Sequence, residues 1–184
     1  MTVRGILRTL ALLALAVFII GPLVNYRNIF DSPALVASLG NSLTYVTANV
    51  VLTLAVALPA AYALSRYRFV GDRHVFLLLL AFRITPPVVL SLPIFLLFAR
   101  LGLLNSPFGI ALVHCLFNIP IAIWILESFI SAVPREFDET AFLDGHSLPR
   151  FFVGHLVPVI APGVGVACFF CFIFSWVEVV FARI

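Results

Sequence analysis

The side chains best placed to do chemistry are carboxylates. Glu136, Asp138, Glu139 and Asp144 crowd into the stretch 136–144, followed at once by Gly145 and, ten positions on, by His155. Paired carboxylates do acid–base work when their surroundings push them apart, one buried and one solvated. These instead form the most acidic window of a very apolar chain. No His-x-x-x-His zinc pair, phosphate-cradling glycine loop or nucleophile elbow accompanies them. No catalytic residue, metal site or enzyme activity is expected. What remains is non-covalent: a charged, solvated segment that something soluble can grip.

The segment has the local signals of a short helical hairpin. Pro134 suits a first helical turn, where its missing N–H matters little. Glu136, Asp138 and Glu139 then sit favourably against the helix dipole. Gly145 supplies a left-handed stop, and Ser147 stands where it can cap a second helix running from Leu148 past Arg150. Phe137, Phe142 and Leu143 need cover, from the rest of the chain or from a partner.

The elements that hold this hairpin are apolar. The chain is 63% hydrophobic and 10% charged, against about a quarter charged in an ordinary globular domain. Runs near the ~20 residues that cross a bilayer fall at about 6–24, 43–64, 75–99, 108–126 and 156–182. The fold expected is therefore all-α, a polytopic membrane bundle of five spans forming one domain over 1–184, with a hydrophilic loop at about 127–155. Arg4 and Arg8 before the apolar stretch 10–20 resemble a signal peptide, but Gly21-Pro22-Leu23-Val24 prolongs the run without a cleavage site, which favours an uncleaved span. With the N-terminus in the cytoplasm, that side receives seven arginines (4, 8, 66, 68, 73, 135 and 150) and the other three (27, 100 and 183), as the positive-inside rule asks. The 127–155 loop then faces the cytoplasm. The arginines are scattered singly, so no nucleic-acid stripe forms.

Polar groups inside the spans are candidates for a solute pathway. Arg83 lies deep in the third run, beside Pro86-Pro87, and intramembrane charges face an interior or a cavity. Asn49 with Thr53, and His114 with Asn118, form stripes at helical spacing that either join helices or meet a solute. Arg83, Asn49 and Asn118 are the pathway candidates. Trp124 and Trp176 are read as interface anchors, and Cys115, Cys168 and Cys171 as packing residues. Prolines at 59, 86, 87, 93, 120, 158 and 162 predict bent helices.

Glu139-Thr140-Ala141, Gly145, then His155, Val157 and Pro158 resemble the cytoplasmic signature of permease subunits of ATP-binding-cassette importers: Glu-Ala-Ala, three residues, Gly, nine residues, Ile, one residue, Leu-Pro. Thr140, His155 and Val157 depart from it. Leu143-Asp144-Gly145-His146-Ser147 is similar to the form found in carbohydrate-type, maltose-like systems. Asn41-Ser42-Leu43, Tyr62 to Tyr67, Pro93-Ile94-Phe95 and Leu101-Gly102-Leu103 match in order, so the resemblance runs from Asn41 to Ala182. It implies a coupling helix in the cytoplasm, with Glu139, Ala141, Asp144, Gly145 and Pro158 engaging an ATPase. The implied partners are cytoplasmic ATP-binding subunits, which hold the ATP so that this chain needs no cofactor, a second homologous permease, an extracytoplasmic solute-binding protein and the lipid of a bacterial inner membrane. The implied cargo is a sugar, oligosaccharide or polyol. Polyamine, phosphonate or glycerol-phosphate is the alternative, and a stand-alone channel or scaffold the reading of another kind. Ser175 to Ala182 is similar to the family's fifth-span ending; the family core has six, so the chain reads as shortened at its C-terminal end.

The topology has a direct test. A cysteine introduced by Ser147→Cys is expected to stay unlabelled by a membrane-impermeant thiol reagent outside intact cells, and to react once the membrane is opened. Labelling from outside would invert the topology.

Overall fold

The computed structural model describes residues 30–67, 70–178 and 181. The span expected at 6–24 lies outside them. Every described element is helical. The chain gathers into two units, 1–43 and 44–184. In the first, the described residues open a helix, with Ser38 Oγ donating to Ala34 O at 2.9 Å.

That helix, α1, is Pro33–Arg66. At 1.5 Å per residue it is about 50 Å long, more than the ~30 Å hydrocarbon layer needs. Pro59 lies inside it without ending it. The third expected span is not one helix but two: α2, Asp72–Ile84, and α3, Pro87–Leu101. The reason is local. Thr85 precedes a proline and is driven extended (φ −62°, ψ 123°), and Pro86 holds an extended N-cap from which Pro87 opens the next helix. The fourth span, α4, Pro107–Ser131, runs one turn past the expected end, so Glu127 sits on the helix rather than in the loop.

The hydrophilic segment forms α5, Arg135–Leu143, and α6, Leu148–Phe151. Pro134 stands at the N-cap of α5, just before its first turn, and Ser147 occupies the α6 N-cap without a side-chain capping bond. A π-helical turn, Phe152–Leu156, then leads to α7, Val157–Val159, and to α8, Ala161–Val177. The fifth expected span is thus bent: the stretches on either side of Ile160 meet at 82°. Pro162, without an N–H, is compatible with the first turn of a new helix but not with continuation of the old one.

By length and composition α1 and α4 can cross a membrane, and the bent stretch 148–177 adds a third crossing if taken whole. Within unit 44–184, α4 packs on α8 and on α2. The main core gathers Ala57, Ala61, Leu126, Ile130, Phe151 and Leu156, all buried. Small residues set the approach: a Cβ built on Gly163 would come within 3 Å of the Phe129 ring. Gly163→Val should therefore force α8 off α4 and lower unfolding stability by about 1–3 kcal/mol. Thermal unfolding in detergent reads this, and adding Phe129→Ala should restore much of the loss; no loss in the single variant would refute the close approach.

Candidate functional site

Two places in unit 44–184 concentrate polar chemistry: the hairpin around α5, and a buried cluster among α1, α2, α4 and α8.

The hairpin is fastened by charge. Arg66, the last residue of α1, donates from Nε to Asp138 Oδ2 at 2.8 Å and from a terminal nitrogen to Oδ1 at 3.1 Å. Tyr62, one turn earlier on the same face, donates its hydroxyl to Oδ2 at 3.0 Å. Both ion-pair side chains are under 10% exposed. A planar guanidinium gripping a carboxylate through two parallel bonds fixes direction as well as distance. Beside it, Ser65 and Ser131 share a hydroxyl contact of 2.8 Å, and Ser131 also donates to Glu127.

An aromatic cluster sits below. The buried Phe151 ring meets Phe142 at 5.2 Å, Phe137 at 5.9 Å and Tyr62 at 6.3 Å between centroids. Ala141 is buried against the same core, where a larger side chain would push α5 outward. The α5 terminus closes with His146 N donating to Ala141 O at 3.1 Å and Gly145 N to Phe142 O at 3.0 Å. That bond pair needs a left-handed residue after the helix, and Gly145 supplies it at φ 81°. The Ala-x-x-x-Gly spacing is thus the spacing of a helix stop.

Ala141 faces in, while Glu139, Asp144, Gly145 and Pro158 are exposed. So are Phe142 and, at 88%, Leu143. A groove of about 680 Å³ runs along the hairpin between Glu136, Phe137, Thr140, Asp144 and His155. His155 sits in the π-turn, its ring 4.7 Å from that of His146.

The buried cluster takes in the pathway candidates. Asn118 donates its amide to Asn49 Oδ1 and Ser175 Oγ, each at 2.8 Å, and Ser175 Oγ donates to Asn49 Oδ1 at 2.9 Å. Asn49 also donates to Ala111 O at 3.0 Å. This triangle ties α1, α4 and α8 together, as interhelical polar groups in bilayers do at about 0.6 kcal/mol each. Next to it, a cavity of about 50 Å³ is lined by Arg83, His114, Asn118, Phe174, Ser175 and Glu178. The Arg83 guanidinium lies 4.1 Å above the Phe174 ring. His114 Nε2 is 3.4 Å from Glu178 Oε2, yet neither ring nitrogen has an aligned hydrogen bond among the described residues. The structure thus brings Asn49, Asn118 and Arg83 to one region. Sequence reasoning passed over Arg66, Tyr62, Asp138 and Phe151 as a set, whose only signal was Tyr62 and Arg66 four apart at the end of a span, and it paired His114 with Asn118 but not with Glu178.

A family profile described as "Binding-protein-dependent transport system inner membrane component" matches residues 54–184. An ABC transporter permease protein, ORF1, of Streptomyces antibioticus is 33% identical over 88% of this chain and 71% of its own length. The trehalose transport system permease protein SugB of Mycobacterium tuberculosis is 30% identical over 86% of this chain and 58% of its own. Among solved structures, a bacterial ABC transporter involved in the import of the acidic polysaccharide alginate matches with a TM-score of 0.68 and 25% identity, over 82% of this chain and 52% of that one. The chain thus spans between about half and seven tenths of the proteins it matches.

Asp138→Ala strips Arg66 and Tyr62 of their shared acceptor. A loss of about 3 kcal/mol is expected, the low end for removing one partner of a buried pair, together with faster hydrogen exchange over 135–143. A change below about 0.5 kcal/mol would make the clamp an ordinary surface pair.

Proposed function

The chain belongs to the family of inner membrane components of binding-protein-dependent transport systems, and we propose that it works as the permease part of an ATP-driven importer, carrying a solute by alternating access. The observation that carries this reading is the outer face of α5. The Arg66–Asp138 clamp and Ala141 hold the inner face down, while Glu139 and Leu143 are exposed and Phe142, its ring resting on Phe151, keeps 42% of its surface exposed. An exposed phenylalanine and leucine beside a carboxylate are costly in water and suit a protein cleft. The partner in that cleft is a cytoplasmic ATP-binding subunit, which holds the ATP. Glu139 makes the charged contact, Ala141 and Gly145 shape the lug, and Asp144 and Pro158 flank it.

A second, homologous permease and an extracytoplasmic solute-binding protein complete the machine, with the N-terminus of this chain in the cytoplasm. The trehalose and alginate systems named for the relatives support carbohydrate as the cargo class. Arg83 and Asn118, on the rim of the buried cavity, and Asn49 behind them are the pathway residues.

Glu139→Lys should abolish co-purification of the ATP-binding subunit and solute uptake while membrane insertion stays normal, because an exposed acid beyond the first turn of α5 contributes less to its own helix than the ~0.3–1 kcal/mol of a first-turn one. Unchanged uptake would remove the coupling role.

A further inference from the structure

We propose that the groove beside α5 is a transition-metal site, with the imidazoles of His146 and His155 as its two protein ligands and water completing the shell. The site goes beyond the permease role and does not depend on it. The two rings lie 4.7 Å apart between centroids and are tilted by 50°. With metal–nitrogen bonds of ~2.0–2.1 Å and each ring centre about 1.1 Å beyond its nitrogen, two imidazoles on one ion sit roughly 4.5–5.2 Å apart. The tilt matters as well, because rings stacked flat keep their lone pairs in parallel planes that never meet. Both side chains are half-buried and line the groove, so they stay within reach of solvent. No hydrogen bond or ion pair claims either imidazole among the described residues.

Both ligands are mounted on fixed backbone. His146 N donates to Ala141 O at 3.1 Å in the stop that closes α5. His155 belongs to the π-turn Phe152–Leu156, its ring stacked on the buried Phe151 at 6.4 Å and 21°. It stands where the permease signature has isoleucine, so the pair is a feature of this chain and not of the shared pattern. Charge and softness then choose the ligand. Glu136 and Asp144 line the same groove and no arginine does, which favours a cation over an anion. Magnesium and calcium take oxygen ligands, whereas imidazole suits zinc, copper and nickel. Among the described residues no three His, Cys, Asp or Glu side chains converge, so the carboxylates act through their field and the ion keeps solvent ligands. Bound there, it ties the end of α5 to the π-turn. Chain order does not mark the pair: the two histidines are nine positions apart, not at the His-x-x-x-His spacing of a zinc helix.

Calorimetric titration of the full, tag-free chain in detergent, first stripped with EDTA, tests this with Zn²⁺, Cu²⁺, Mg²⁺ and Ca²⁺. Zinc and copper should bind saturably at one ion per chain, and magnesium and calcium should not. The copper EPR spectrum should carry the coupling of two imidazole nitrogens, and zinc should slow hydrogen exchange over 144–156. His146→Gln and His155→Ile should each weaken binding roughly tenfold or more, since even outer-shell partners of an ion are worth about 10–100-fold; His74→Gln should leave it unchanged. Thermal unfolding without metal shows whether each variant folds, and the spectrum of the unaltered chain decides the point where one does not. Absence of two-nitrogen coupling, no saturable zinc binding, or binding that survives loss of both histidines overturns the proposal. Equal binding of magnesium would move the ion to the carboxylates and overturn it as well.

Discussion

One bidentate ion pair decides how the rest of the structure is used. Arg66 closes the longest helix and Asp138 opens the short one, 72 positions later. Burying an ion pair deep in an apolar core is unfavourable unless every remaining lone pair finds a donor. Here Tyr62 supplies the extra donor, and the pair sits at the end of the apolar helix rather than in its middle. The outcome is a hairpin whose orientation is set by two parallel bonds and an aromatic floor rather than by a hinge. α5 and α1 are thus tied directly, side chain to side chain.

The same helix carries the second polar assembly. Asn49 lies on α1 about 25 Å of helix from Arg66, in contact with Asn118 of α4 and Ser175 of α8. That triangle joins three helices; the cavity beside it holds the ionisable groups, with His114 Nε2 3.4 Å from Glu178 Oε2. The first is neutral amide and hydroxyl, the second charged, and in a low-dielectric interior both depend on keeping their partners.

Much of this was legible in the sequence wherever the signal is local. α4 and the 43–64 part of α1 announce themselves as apolar runs, whereas the start of α1 at Pro33, ten residues earlier than expected, does not, and the Gly145 stop follows from a glycine after a short acidic helix. The broken third span was half legible: Pro86-Pro87 predicts a bend, but a full break also needs Thr85 forced extended by its successor. The bend at Ile160 was likewise announced by Pro158 and Pro162 without its 82° angle. What could not be read was pairing across distance. Nothing in the chain order marks Asp138, rather than Glu136 or Glu139, as the inward carboxylate, and nothing links His114 to Glu178; both depend on how helices lie against one another.

The π-turn at Phe152–Leu156 fits one more residue into its loop than an α-turn would. Successive residues of an α-helix differ by roughly 100° in azimuth. The surplus residue therefore turns the short α6, Phe151 included, by about that angle relative to the helix that follows. Trimming the chain by one at Gly154 would turn the Phe151 ring out of the aromatic cluster it completes, so the spacing before the final helix matters as much as the residues in it.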